Sequence, residues 1–115
     1  MARGLQEGEI KQAVRGGGYL RDVLIVCKGD GSDHEYLAYF RPSWRRELMP
    51  LRTWQDRSDR MYRNINRLLV LIRDDFAFDG VVPVYMAGDP ELARYKALAK
   101  EDRLAASAGD AEEQV

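Results

Sequence analysis

The stretch Asp22-Val-Leu-Ile-Val-Cys-Lys28, Gly29-Asp-Gly-Ser-Asp33, His34-Glu-Tyr-Leu-Ala-Tyr-Phe-Arg41 decides how this chain folds. Its apolar run from Val23 to Cys27 is unbroken and rich in β-branched residues. A strand with one wet face would alternate apolar with polar, so an unbroken run reads as a strand buried on both faces. The next five residues are only Gly, Asp and Ser, which supply the backbone freedom and local hydrogen bonds that a chain reversal needs. His34 to Arg41 then resumes aromatic and aliphatic character. The pattern predicts a β-hairpin with a loop of five or six residues, its first arm being the central strand.

On the N-terminal side, Leu5, Ile10, Ala13 and Val14 fall at roughly helical spacing, and Gly16-Gly-Gly18 ends that helix before Tyr19, acting as a hinge. On the C-terminal side, Pro42 breaks the second arm. Met49 to Trp54 around Pro50 reads as a short third strand, with the proline at its start or on an edge. Ser58 to Phe76 carries the clearest helical pattern, with Met61, Ile65, Leu68, Leu69, Ile72 and Phe76 on one stripe and Ser58 or Asp59 as the cap. Phe76 to Gly80 turns the chain, and Val81 to Met86 is a fourth strand that Pro83 places at an edge. Asp89, Pro90 and Glu91 open a last helix that runs to about Arg103. The order α-β-β-β-α-β-α predicts one α+β domain over 1–104. Its sheet is expected to be largely antiparallel, of about four strands, with helices packed on one face. The small, acidic residues 105–115 are expected to be a disordered tail.

A length of 115 residues suits a single core. The longest aliphatic runs, Val23 to Cys27 and Leu68 to Ile72, fall far short of the roughly 20 residues that cross a bilayer, and no apolar leader opens the sequence. A cytoplasmic protein is expected. One cysteine and one histidine build neither a disulfide nor a structural zinc site. Cys27 is expected in the core, with His34 as its one possible imidazole partner. The loop from Asp30 to Glu35 gathers oxygen and nitrogen donors without the twelve-residue spacing of a helix-loop-helix calcium site, and it reads as a solvated turn. Gly16-Gly-Gly18 precedes a strand, the wrong context for a phosphate loop. The expectation is therefore a protein with no catalytic residues, no metal and no cofactor.

Charge is nearly balanced overall, at −1, yet strongly uneven along the chain. Residues 41–73 hold nine arginines, no lysine and three acids, whereas the sequence from Asp74 onward holds ten acids against four bases. Arginine presents planar donors that suit carboxylates, phosphates and aromatic faces. The candidate partner-binding residues are Trp44, Arg45, Arg46, Arg52, Trp54, Arg57, Arg60, Arg63 and Arg67. On the expected helix, Arg60, Arg63 and Arg67 form a stripe beside the apolar one, and Arg57 and Arg60 stand at its N-terminus, where cations oppose the dipole unless an anion offsets them. The plain structural alternative is an ordinary solvated face paired with Asp56 and Asp59.

Leu37-Ala-Tyr-Phe-Arg-Pro-Ser-Trp-Arg-Arg46, Leu51-Arg-Thr-Trp54, the Ser58 helix ending Leu71-Ile-Arg-Asp-Asp-Phe76, and Val81-Val-Pro-Val-Tyr85 form a pattern that covers residues 20–98. It resembles small accessory proteins of plasmids and integrative elements, most nearly the ParC family of partition-associated proteins, which is distinct from the topoisomerase subunit of that name. The resemblance implies a non-enzymatic helper of element maintenance that works beside partition or replication machinery through protein contacts or DNA. A protein partner is the expected target, because the acidic tail and the Asp74 to Asp79 cluster would repel a duplex and no helix-turn-helix, zinc finger or stacking sheet is legible. Nucleic acid on the same arginines is the alternative. Self-assembly into a homodimer through edge strands near Pro50 and Pro83 or through the aromatic hairpin is the third.

Overall fold

The computed structural model describes residues 4–29, 31–53 and 58–95. In chain order these form β1 (Leu5–Gln6), α1 (Glu7–Arg15), β2 (Leu20–Lys28), β3 (Glu35–Pro42), β4 (Met49–Arg52), α2 (Ile65–Val70) and β5 (Val84–Met86). A 3-10 turn at Gly31–Asp33 joins β2 to β3, α2 continues as a π-helical turn over Leu71–Asp75, and a second 3-10 turn at Pro90–Arg94 follows β5. The expected hairpin is the antiparallel pair β2–β3, in register from Asp22↔Arg41 to Lys28↔Glu35. Gly29 turns it at φ 97°, where a Cβ would collide with the Asp33 carbonyl oxygen, so no other residue fits this turn.

The sheet order is β1-β4-β3-β2-β5, which places the hairpin in the middle, as expected. It is an α+β fold, but the sheet has five strands and is mixed. β1 runs parallel to β4 (Leu5↔Leu51), and β5 runs parallel to β2 (Ile25↔Val84). The parallel partner of β2 arises because the chain crosses over through α2 before laying down β5, and parallel neighbours need such a connection. β1 is only two residues long, too short to leave a strand pattern, so residues 5–15 looked like helix throughout.

Period-two alternation on the hairpin explains the continuous apolar run. Val23, Ile25, Ala38 and Phe40 face one side, where Leu5, Ile10, Leu68, Leu71, Ile72 and Phe76 complete the main core. Both helices therefore lie on one face. Phe76 meets Phe40 edge to face, with ring centroids 5.4 Å apart. Leu24, Val26, Leu37 and Tyr39 face the other side, where a smaller cluster is closed by Leu48 and Leu92 with Met61, Tyr85 and Tyr95 packed against it. At the rim of that face Arg41 pairs with Asp22 at 3.0 Å.

The helix expected from Ser58 starts later. Residues 58–62 are extended: Tyr62 and Tyr36 exchange backbone hydrogen bonds of 2.9 and 2.7 Å, and Arg60 N–H donates to the Leu51 carbonyl at 2.9 Å. The cap is Asn64, whose side chain accepts from Asn66 N–H at 2.9 Å, in place of Ser58 or Asp59. Met61 thus leaves the stripe for the opposite face of the sheet, while Leu68, Ile72 and Phe76 stay buried. The wider π turn also brings Leu71 inward. Asp89 caps the turn after β5 through Glu91 N–H at 2.8 Å, with Pro90 at its first position. The rest of the helix expected to reach Arg103, and the expected tail 105–115, lie outside the described residues.

Candidate interaction surfaces of the arginine-rich middle

The structure divides the arginines of the middle segment into an inner and an outer group. The inner group is matched to the chain's own acids. Arg60, in the extended segment before α2, donates to Glu7 Oε1 at 2.9 Å and lies over the Tyr62 ring, 5.3 Å from its centroid. Arg45 reaches Glu9 at 3.6 Å. Arg52 Nε lies 3.1 Å from Asp59 Oδ1, although neither atom is aligned for a hydrogen bond, so this contact is a charge pair. Glu7 and Glu9 open α1, where acids also favour the positive end of the helix dipole. The anion required by Arg60 is therefore Glu7, and the reason differs from the one expected: Arg60 stands outside the helix and opposes no dipole.

The outer group consists of Arg46, Arg63 and Arg67. Arg63 precedes the Asn64 cap, its side chain is 76% exposed, and its nearest acid, Glu35, is 4.0 Å away. Arg67 is exposed on α2, and Arg46 is exposed in the connection before β4. The expected stripe of Arg60, Arg63 and Arg67 does not form, because only Arg67 is helical. Nor do the arginines make one face. Arg63 stands beside Glu35 at the start of β3, while Arg45 and Arg46 follow its end, about 23 Å away along the seven steps between its first and last residues at about 3.3 Å each. Trp44 is half-buried and packs on Gly18, where a Cβ would sit 3.1 Å from the indole ring, so the Gly-Gly-Gly run makes room for this side chain. Trp54 and Arg57 lie outside the described residues.

Composition showed a charge imbalance but not its counter-ions. Asp59 is close to Arg52 in sequence, but Glu7 and Glu9 are 53 and 36 residues away from Arg60 and Arg45, on a helix whose placement depends on a two-residue parallel strand. Glu7 holds Lys11 as well, at 2.8 Å, and Lys11 reaches Asp75 at 3.5 Å. These contacts raise the Lys11 pKa above its ordinary 10.5, first through the hydrogen bond that Lys11 donates to Glu7. Burial pushes the Tyr62 phenol above its ordinary 10.0, against the opposing pull of Arg60. An open cavity of about 300 Å³ lies beside this network, lined by Lys11, Val14, Arg15, Asp74 and Asp75. Both signs of charge are present in it.

Cys27 and His34 do meet, with Sγ 3.1 Å from Nδ1. Cys27 is 4% exposed near the hairpin end of β2 and His34 is half-buried, so the thiol is shielded from solvent while the imidazole is only partly so. Among the described residues no group of three or more His, Cys, Asp or Glu is placed to hold a metal ion. Likewise no described helix is long and apolar enough to cross a membrane. No family model matches the sequence, and no curated protein or solved structure is significantly similar to it.

Proposed function

We propose that this chain is a non-enzymatic accessory protein of the cytoplasm that binds an acidic protein partner at two separate points, Arg63 and Arg67 just before and on α2, and Arg46 beyond the far end of β3. The observation that carries this reading is the division of the arginines. Arg45, Arg52 and Arg60 are matched to Glu9, Asp59 and Glu7, whereas the outer three are exposed and have, among the described residues, only the 4.0 Å contact of Arg63 with Glu35. An exposed ion pair contributes little to stability, so guanidinium groups left outside the network are available for recognition at little cost to the fold. A protein fits better than a duplex because exposed Asp74 and Asp75 follow the same helix and repel phosphates. The buried position of Cys27 beside His34 favours binding over thiol chemistry. A setting in plasmid or integrative-element maintenance rests on the resemblance of residues 20–98.

The test is charge reversal. Arg46→Glu, Arg63→Glu and Arg67→Glu together should leave thermal unfolding nearly unchanged and abolish capture of partition or replication proteins from cells that carry the element. Undiminished capture overturns the assignment. Micromolar binding of a generic duplex, lost steeply as salt rises and lost in the triple variant, would make nucleic acid the target of the same arginines.

A further inference from the structure

We propose that the open edge of β5 is a second binding surface, which takes an extended peptide strand with apolar side chains at alternate positions and basic residues at its ends. The edge is available in hydrogen-bonding terms. Ile25 N–H donates to the Pro83 carbonyl and Ala87 N–H to the Cys27 carbonyl, both at 2.9 Å, so residues 83, 85 and 87 turn their backbone groups toward β2. Val84 and Met86 therefore turn theirs outward. The Met86 carbonyl is taken by Asp89 N–H at 3.0 Å, which leaves Val84 N–H, the Val84 carbonyl and Met86 N–H facing away from the sheet.

The edge is also apolar. Val81 is 84% exposed, Val84 49% and Met86 51%, three of the five large exposed hydrophobic residues among those described. Their register opposite Ile25 and Cys27 puts Val84 and Met86 on the main-core side of the sheet, so they extend that face beyond the helices. Natural sheets blunt an edge by shortness, by proline or by charged side chains; β5 is short and follows Pro83, but it carries no charge.

The approach to the edge is held in place before any ligand arrives. Arg73 donates to the carbonyls of Phe78 and Gly80 at 2.9 and 2.6 Å, and Phe78 covers Gly80, which fixes the turn that leads into β5. A rigid edge has less ordering cost to offset on binding.

Charge selects the occupant. Arg73, which is engaged by the Phe78 and Gly80 carbonyls, and Arg94, which is paired with Glu91, bound a stretch of five acids and no base in which Asp79 and Asp89 flank the strand on either side. Lys28, at the end of β2, is the nearest cation on the neighbouring strand. A second copy paired edge to edge about a two-fold axis would bring one copy's Asp79 toward the other's Asp89. A strand with Lys or Arg at both ends meets opposite charge instead.

The experiment uses the full chain and a fluorescein-labelled peptide, Arg-Val-Thr-Val-Thr-Val-Arg, read by anisotropy. Saturable binding is expected. It should weaken at least about tenfold when alternate peptide amides are N-methylated, when the terminal arginines become aspartates, or in the variants Val84→Pro and Met86→Asp. Val84→Pro removes an outward N–H only, and circular dichroism of both variants verifies the sheet. Arg63→Glu should not change peptide binding, which separates this surface from the outer arginines. Absence of saturation up to millimolar peptide, or equal affinity for the N-methylated and aspartate-flanked peptides, overturns the proposal. A dimeric mass by light scattering that Val84→Pro reduces to a monomer overturns it too, because a second copy would then be the occupant.

Discussion

The two edges of the sheet are built from the same kind of part and finished in opposite ways. Each is a very short strand added in parallel to the antiparallel centre: β1 of two residues on β4, and β5 of three residues on β2. At the β1 edge every device points inward. Leu5 and Ile10 are fully buried, and Arg60 and Lys11 tie Glu7 to the rest of the molecule. Arg52 lies across Gly4, where a Cβ would strike its side chain. At the β5 edge Val84 and Met86 stay half exposed, and no ion pair crosses it among the described residues. The difference shows that strand length does not decide whether an edge is closed. The residues that follow the strand do. α1 brings acids to the arginines and Ile10 to the core, whereas β5 is followed at once by a turn.

The largest effect that would break this comparison is in the core. Leu5→Ala or Ile10→Ala should cost about 2–5 kcal/mol, since each removes a fully buried branched side chain and leaves a cavity. Val84→Thr and Met86→Gln should stay within about 0.5 kcal/mol, the range for surface changes. Urea unfolding of the four variants checks this. Equal losses at the two edges would mean that β5 is closed by something its exposure does not reveal.

A smaller effect sharpens the comparison at one residue. Glu7→Gln keeps the shape of the side chain but removes the charge shared by Arg60 and Lys11. Glu7 is about a quarter exposed and its partners more so, so solvent screening limits the loss to about 0.5–1 kcal/mol. That loss should shrink in high salt. A double-mutant cycle with Arg60→Gln measures the pair directly, and a coupling of zero would mean that the β1 edge is held by Leu5 and Ile10 alone.

The same contrast explains what the sequence made legible. The β2–β3 hairpin was readable because its signal is local: an apolar run, a turn-forming run and a second apolar run. Asp89 and Pro90 were readable for the same reason. The start of α2 was misread because Met61 and Ile65 fit helical spacing by coincidence, while Ser58 to Tyr62, three polar residues and then two apolar ones, shows no alternation that would mark a strand, and Asn64 was the available cap. β1 could not be read, since two residues that pair in parallel with a strand more than forty positions away carry no pattern of their own. The candidate arginines were singled out by type, but which ones remain in solvent depends on Glu7 and Glu9, whose position follows from β1. The open apolar edge was partly visible in Pro83, which marks the strand as peripheral but says nothing of Val84 and Met86 being exposed.

The smallest expected effect lies at alkaline pH. Lys11 and Tyr62, both beside Glu7, have pKa values raised in the folded protein, Lys11 chiefly by the Glu7 hydrogen bond and Tyr62 chiefly by burial. Near the β5 edge Tyr95 is raised as well, first by its hydrogen bond with Tyr85. In each case the folded state holds its proton after the unfolded state has begun to lose it. The contribution to stability is therefore fully present below the ordinary values of 10.0 for tyrosine and 10.5 for lysine, and is lost as pH rises through the higher folded values. Urea midpoints should fall above about pH 10 while remaining flat with respect to these groups between pH 8 and 9. Tyr62→Phe removes the buried phenol and should flatten part of the fall. Tyr95→Phe should flatten a separate part, and the two reductions should add because the residues lie on opposite faces of the sheet. If Tyr62→Phe leaves the alkaline slope unchanged while Tyr95→Phe abolishes it, the proton linkage belongs to the open edge, and the closed edge is held by packing without help from its buried tyrosine.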